Sequence, residues 1–151
     1  VDLSAAKLEA ARALGATDLV DASQTDAVTE VQRLSGGGVD HAFEVIGRPA
    51  TAEQALAMCA NGRTAYVVGV MSDDAAFTVK AESMKRGKSL RGVQMGSTRP
   101  RVDIPRYVEM WRRGQLDLES MVSRRLPLDD VNDGFRAMVA GEVNRAVVVF
   151  E

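Results

Sequence analysis

The stretch "VDHAFEVIGRPATAEQALAMCANGRTAYVVGV" (Val39–Val70) decides the fold. Val39 to Gly47 is rich in β-formers and ends on glycine. Pro49 to Ala60 has proline near its start and places Ala52, Leu56 and Cys59 on one helical face, and Arg63 to Val70 is a near-continuous apolar run. Such a run suits a strand covered on both faces. The stretch therefore predicts strand, helix, strand, the unit from which parallel sheets are built.

The same alternation extends outward in both directions. Before it, Ser4 is placed to cap a helix over Ala5 to Leu14, with Leu8, Ala11 and Leu14 on one stripe and Gly15 in the left-handed position that ends helices. "TDLVDAS" (Thr17–Ser23) reads as a short buried strand. Val28, Val31 and Leu34 then recur at helical spacing until Gly36 to Gly38 stop them. After it, a polar stretch from Met71 leads to "KSLRGVQMG" (Lys88–Gly96), a further strand. Beyond that the character changes: Val102 to Gly114 predicts a helix capped by Asp103 and striped with Ile104, Tyr107, Val108 and Trp111. Asp129 is expected to cap a helix carrying Val131, Phe135 and Met138, which Gly141 ends, and Arg145 to Phe150 is expected as a terminal strand.

Composition narrows the function classes. Nineteen basic residues against 21 acidic ones, a net charge of −2, argue against a nucleic-acid binder, which needs a basic excess. No apolar run approaches the roughly 20 residues of a membrane span, so no membrane partner is expected. The single Cys59 cannot form an internal disulfide, and with His41 as the one histidine the chain cannot assemble a four-ligand zinc site by itself. A cytoplasmic, reducing setting is the expectation.

"GVDH" followed by "FEVIGR" (Phe43–Arg48), then "VVGV" (Val67–Val70) and finally "GEVNRAVVVF" (Gly141–Phe150) occur in an order and spacing that resemble the zinc-type alcohol dehydrogenases of the medium-chain dehydrogenase/reductase superfamily. The resemblance implies a Rossmann-like doubly wound parallel sheet, truncated at its N-terminus: the Gly-rich turn of the family lies between its first and second strands, and this sequence begins at the end of the second. Residues 1–96 are expected to be a partial NAD-binding domain and residues 97–151 a segment of helix, helix and strand that returns to the catalytic domain. In the doubly wound order the first strand is central, so a chain without it should leave a gap with apolar walls, "VDHAFEVI" as an edge, and the three later strands as a parallel core.

The resemblance also implies site residues. Asp2 stands where the family carries the acid that accepts hydrogen bonds from the adenosine ribose, a carboxylate that repels a 2′-phosphate and so selects NAD over NADP. Leu3 beside it and Lys7, five residues on, fall in the same region. Val45, Ile46 and Arg48 correspond to positions near the nicotinamide ribose and the adenosine, Val68 and Val70 to the wall behind the nicotinamide, and Val93 and Met95 to the backbone passing its carboxamide. Arg145 resembles the arginine that approaches the pyrophosphate. Read as plain sequence, Val68, Val70, Val93 and Met95 are core positions and the arginines are solvated. Zinc is implied in an N-terminal half outside this sequence, and no residue here is expected to be catalytic. The implied function is hydride transfer between an alcohol, or an aldehyde adduct, and NAD, by a homo-oligomer (dimer or tetramer). A zinc-free quinone or enoyl reductase of the same superfamily and a non-catalytic nucleotide-sensing module are the alternatives. Glu44, inside an apolar strand, is expected to have a hydrogen-bonded partner rather than to act as a base. His41 lies in the strand body, away from the strand ends where open parallel sheets bind ligands, and Cys59 reads as a packed thiol.

Overall fold

Small side chains govern how the first part of the chain packs. In the computed structural model, which describes residues 1–150, the chain divides into two compact units, Val1–Ser97 and Thr98–Glu151. The first contains α1 (Ala5–Ala13), α2 (Ala27–Leu34), β1 (Val39–Glu44), α3 (Pro49–Met58), β2 (Cys59–Val67), α4 (Ala81–Lys85) and β3 (Ser89–Gly92). Ala42 and Ala65 on the strands face Ala55 and Leu56 on α3, with Cys59 between them. These five form the core, and the absence of long side chains lets the helix lie close on β1 and β2.

The three strands are parallel in the order β1-β2-β3, with Ala42 paired to Ala65 and Ala65 to Leu90. This is the parallel core expected from the alternating pattern. The outer edge of β1 has no partner strand among the described residues. Only one face of the sheet is covered by α3. On the other, Phe43 stacks on Tyr66 at 5.0 Å and His41 tilts against the same ring at 5.7 Å, yet Phe43 remains 66% exposed.

Several boundaries differ from the sequence reading. "TDLVDAS" forms no strand: Asp21 makes a single parallel bridge to Asp2, with the Asp2 amide donating to the Val20 carbonyl and the Ala22 amide to the Asp2 carbonyl. No other residue of the stretch pairs with a strand among the described residues. β2 starts earlier than Arg63 and ends before Val68, because the chain passes directly from α3 into the strand at Cys59. β3 stops at Gly92, since the next residues coil into a 3-10 turn (Gln94–Ser97) in which Met95 and Ser97 take positive φ. Ser4 caps α1 as expected, its hydroxyl accepting the Lys7 amide, but only Leu8 of the predicted stripe is buried.

α3 ends without a basic residue or glycine in its last turn, and its free carbonyls are met from elsewhere. The Lys88 ammonium donates to the Leu56 and Ala57 carbonyls at 3.3 and 3.2 Å, and the Gln32 amide donates to Ala57 at 2.9 Å. Lys88, just ahead of β3, is thus a long-range cap of α3.

The second unit contains α5 (Pro100–Arg112), β4 (Arg124–Leu126), α6 (Val131–Val139) and β5 (Ala146–Val148). α5 begins two residues earlier than expected. Pro100 takes the first helical position, and Asp103 acts from inside the helix, accepting the Arg99 amide at 2.7 Å. Asp129 is not a cap: Leu128–Asp130 form a 3-10 turn, and α6 starts after Asp130 with no side-chain cap bond. "RRL" has no alternation in sequence that marks β4 as a strand. It pairs parallel with β5, and α6 crosses between them, placing Gly134 against Leu126. β5 is shorter than Arg145 to Phe150, because its register is limited to the three residues of β4.

Two outcomes follow from these contacts. Burial pushes the Cys59 thiol up from its ordinary value, more than the Ala42 backbone and the Lys88 charge pull it down. Native protein at pH 8 should therefore leave Cys59 unmodified by a disulfide reagent, and urea should release one reactive thiol per chain. Lys88→Met keeps the aliphatic stem and loses the cap of α3, which should lower unfolding free energy by about 1 kcal/mol in urea titration.

Candidate functional site

The parallel register brings the ends of β1, β2 and β3 to one edge of the first unit. Val45, Ile46 and Arg48 follow β1, Val68 and Val70 follow β2, and Val93 and Met95 follow β3. These segments stay tied together past the last strand residue. The Val68 and Gly69 amides both donate to the Glu44 carbonyl, at 2.8 and 3.1 Å, and the Val93 amide donates to the Val67 carbonyl at 2.8 Å.

Two glycines make this edge possible. Gly47 has φ +84, and a Cβ there would stand 2.2 Å from the Val70 carbonyl oxygen. A Cβ at Gly69 would stand 2.1 Å from the Gly47 nitrogen. The two turns cross backbone to backbone, a distance no other residue permits. In the sequence, "EVIG" carries its glycine three residues past Glu44, the last residue of β1, and "VVGV" carries its own two residues past Val67, the last of β2, so neither position by itself announces the crossing.

Most of the apolar side chains that follow the strands are not core. Val45 and Ile46 are about two-thirds exposed, Val70 is 92% exposed and Met95 is 83% exposed, while Val68 and Val93 are half-buried. The plain-sequence reading of Val70 and Met95 as interior residues is thereby corrected. They lie beyond the last strand residue, where α3 no longer covers them. Large apolar side chains held in the open on a rigid edge mark a surface made for contact.

A cleft of about 400 Å³ runs along the free edge of β1, lined by Asp2, Glu44, Val45, Ile46, Thr51 and Met58 among others. It brings Asp2 to the same space as the turn after β1. One Asp2 oxygen accepts the Ser4 amide at 2.9 Å, and the other makes no hydrogen bond among the described residues. Leu3 is exposed and Lys7 half-buried at the start of α1. Arg48 is exposed beside the cleft. Arg145 belongs to the second unit, at the entry to β5, where Ser123 holds its backbone: the Ser123 hydroxyl accepts the Asn144 and Arg145 amides at 2.9 and 3.3 Å.

Glu44 is the only charged side chain buried among the described residues, 3% exposed. Its Oε1 accepts the Ile46 amide at 2.9 Å, the Gly47 amide at 2.8 Å and the Thr51 hydroxyl at 2.7 Å, so the expected hydrogen-bonded partners are present. Oε2 is buried without a partner. Burial pushes this carboxyl up, but the donors from Thr51 and from the Gly47, Ile46 and Arg48 backbones together hold it below the ordinary glutamate range. It is therefore ionised at neutral pH. A lowered folded-state value gives stability that is present above the unfolded value and is lost as pH falls through the folded one.

No group of three or more His, Cys, Asp or Glu among the described residues could hold a metal, so zinc does not fit the described side chains. The groups present fit a dinucleotide: a carboxylate oxygen free to accept from ribose hydroxyls, exposed apolar walls and closely approaching glycine backbone at parallel strand ends. No helix of the described residues is long and apolar enough to cross a membrane.

Comparison with known proteins agrees with this architecture. Alcohol dehydrogenase 3 of Hordeum vulgare is 36% identical over 151 residues, covering 97% of this chain and 40% of that protein. Alcohol dehydrogenase 1 of Pisum sativum is 30% identical over 154 residues, covering 100% of this chain and 40% of that protein. Among solved structures, an alcohol dehydrogenase zinc-binding domain protein from Burkholderia ambifaria has a TM-score of 0.94 at 26% identity, over 99% of this chain and 40% of that one. The chain spans about 40% of the length of these relatives, and its fold is the Rossmann-like α/β fold they share with it. A family model described as "Zinc-binding dehydrogenase" matches residues 1–113, and the chain belongs to that family, within the medium-chain dehydrogenase/reductase superfamily that its motifs resemble.

Proposed function

We propose that this chain is the cofactor-binding portion of an NAD-dependent, zinc-type alcohol dehydrogenase. It holds and orients NAD while hydride passes between the cofactor and an alcohol or aldehyde adduct, with zinc bound by residues outside this chain. The observation that carries this reading is the shared cleft of Asp2 and the turn after β1, in a chain whose relatives include alcohol dehydrogenases. When bound, NAD supplies the hydride acceptor. The chain's residues supply the positions. The free oxygen of Asp2, with Lys7 near it and Leu3 alongside, takes the adenosine ribose. Val45, Ile46 and Arg48 line the cofactor along the first turn, and Val68, Val70, Val93 and Met95 back the nicotinamide. Arg145 contributes paired donors to the pyrophosphate.

Residues 1–96 serve cofactor binding in this reading, and residues 97–151 return the chain to the catalytic domain. The substrate is a small alcohol or aldehyde, the setting is cytoplasmic, and the enzyme is a dimer or tetramer. The outer edge of β3, unpaired among the described residues, is open to a second sheet.

Steady-state kinetics of the full-length protein with primary and secondary alcohols test the reading directly. Oxidation with NAD at a far higher kcat/KM than with NADP is expected. Quinone or enoyl reduction with NADPH favours the zinc-free reductases, and no turnover at all favours a sensing module. Asp2→Ser should narrow the NAD preference by removing the charge that repels a 2′-phosphate, and an unchanged preference removes Asp2 from the ribose site. Arg145→Ala should weaken NAD binding by about 1.5–3 kcal/mol in calorimetric titration, the range for a hydrogen bond to a charged group, with little change in melting temperature.

A further inference from the structure

We infer that Glu44 is a positioning residue for the dinucleotide, a clamp that fixes the turn after β1 and the turn after β2 against each other. The inference rests on the nucleotide-binding reading above. Its evidence is that one residue holds both turns by different groups. The Glu44 side chain folds back on its own strand end, and Oε1 gathers the Ile46 and Gly47 amides and the Thr51 hydroxyl. The Glu44 backbone carbonyl receives the Val68 and Gly69 amides from the other turn. Removing the side chain frees the first turn, while the second stays attached through the main chain.

The geometry leaves little room for an alternative position of the first turn. Gly47 presses on the Val70 backbone and Gly69 on the Gly47 nitrogen, so a displacement of residues 45–47 carries Val70 with it. A Cβ at Gly69 would also stand 2.7 Å from Glu44 Oε2, so this oxygen is packed directly on the second turn. Oε2 has no hydrogen-bond partner despite being buried, an arrangement that costs stability. A residue kept only for stability gains nothing from that orphaned oxygen. The side chain's hydrogen bonds hold the first turn alone, and gathering the Ile46, Gly47 and Thr51 donors on one oxygen requires an acceptor at the length of glutamate.

The exposed side chains gain their fixed positions from this clamp. Val45 and Ile46 immediately follow Glu44, have no core neighbours to lock them and stand about two-thirds exposed. Their direction depends on the 45–47 backbone, which Oε1 sets through two amides two and three residues on. Thr51, at the first turn of α3, anchors the same oxygen to the helix that carries the core. The turn is thereby referenced to the rigid part of the unit.

The test uses the full-length protein and NADH fluorescence titration, with kcat and KM for NAD, at a temperature well below each variant's unfolding transition. Glu44→Ala should raise the NADH dissociation constant and the KM for NAD about tenfold or more, with a smaller change in kcat and an altered emission of bound NADH. Glu44→Gln, whose carbonyl accepts the same three donors, should restore binding to within about threefold of wild type. Thr51→Val, which removes one donor and conserves volume, should weaken binding about threefold and keeps the question decidable if Glu44→Ala does not fold. Wild-type affinity in Glu44→Ala or in Thr51→Val overturns the inference. So does Glu44→Gln binding as poorly as Glu44→Ala, since the three acceptor bonds are then not what positions the cofactor. Wild-type preference for NADP overturns the reading of Asp2 alone, because the same variants are then compared with NADPH. A wild-type protein that binds neither dinucleotide overturns both.

Discussion

The backbone crossing of Gly47 and Gly69 is the constraint on which the candidate site depends. Two parallel strands that end side by side ordinarily diverge into separate loops. Here the loops pass so closely that a methyl group on either glycine would overlap main-chain atoms of the other turn. The contact holds the ends of β1 and β2 as one rigid edge, and the side chains on that edge point outward. Strand ends in an open parallel sheet are where ligands bind, because helices cover the faces and leave that edge accessible. The crossing turns a general property of the fold into a surface with a defined shape.

Charge and burial reinforce the same edge. Glu44 is an ionised carboxylate taken out of water, a state that is tolerable only with several donors around it. Three donors converge on Oε1, two from the turn it shapes and one from α3. The core beneath is made of small residues, Ala42, Ala55, Ala65 and Cys59 with Leu56, so α3 sits close enough for Thr51 to reach the carboxylate. Packing of the core and order of the site are thus one arrangement. The cost is visible in Oε2, which that packing leaves without a partner.

The free edge of β1 and the exposed ring of Phe43 show what this unit leaves uncovered. Backbone N–H and C=O groups on such an edge are ready to pair, and the cleft beside it has apolar walls. The relatives extend well beyond the 40% of their length that this chain matches. Asp2 reaches this cleft through one bridge to Asp21, so its place is set by two hydrogen bonds rather than by a full strand ladder.

The sequence by itself determined the order of strands and helices in Val39–Val70, the parallel arrangement they imply and the family to which the motifs point. Those features follow from periodicity and punctuation, which act between residues a few positions apart. It also showed that Glu44 needed partners, since a charge in an apolar strand cannot be left bare. Tertiary structure alone decided which partners those were, that Lys88 caps α3 across more than thirty positions, that β4 exists as the parallel mate of β5, and that Thr17–Ser23 forms a single bridge instead of a strand. It also turned Val70 and Met95 outward. The physical reason is the same in each case. A helix or strand pattern is set by near neighbours along the chain, whereas a cap, a strand pairing or the exposure of a side chain depends on what folding brings beside it.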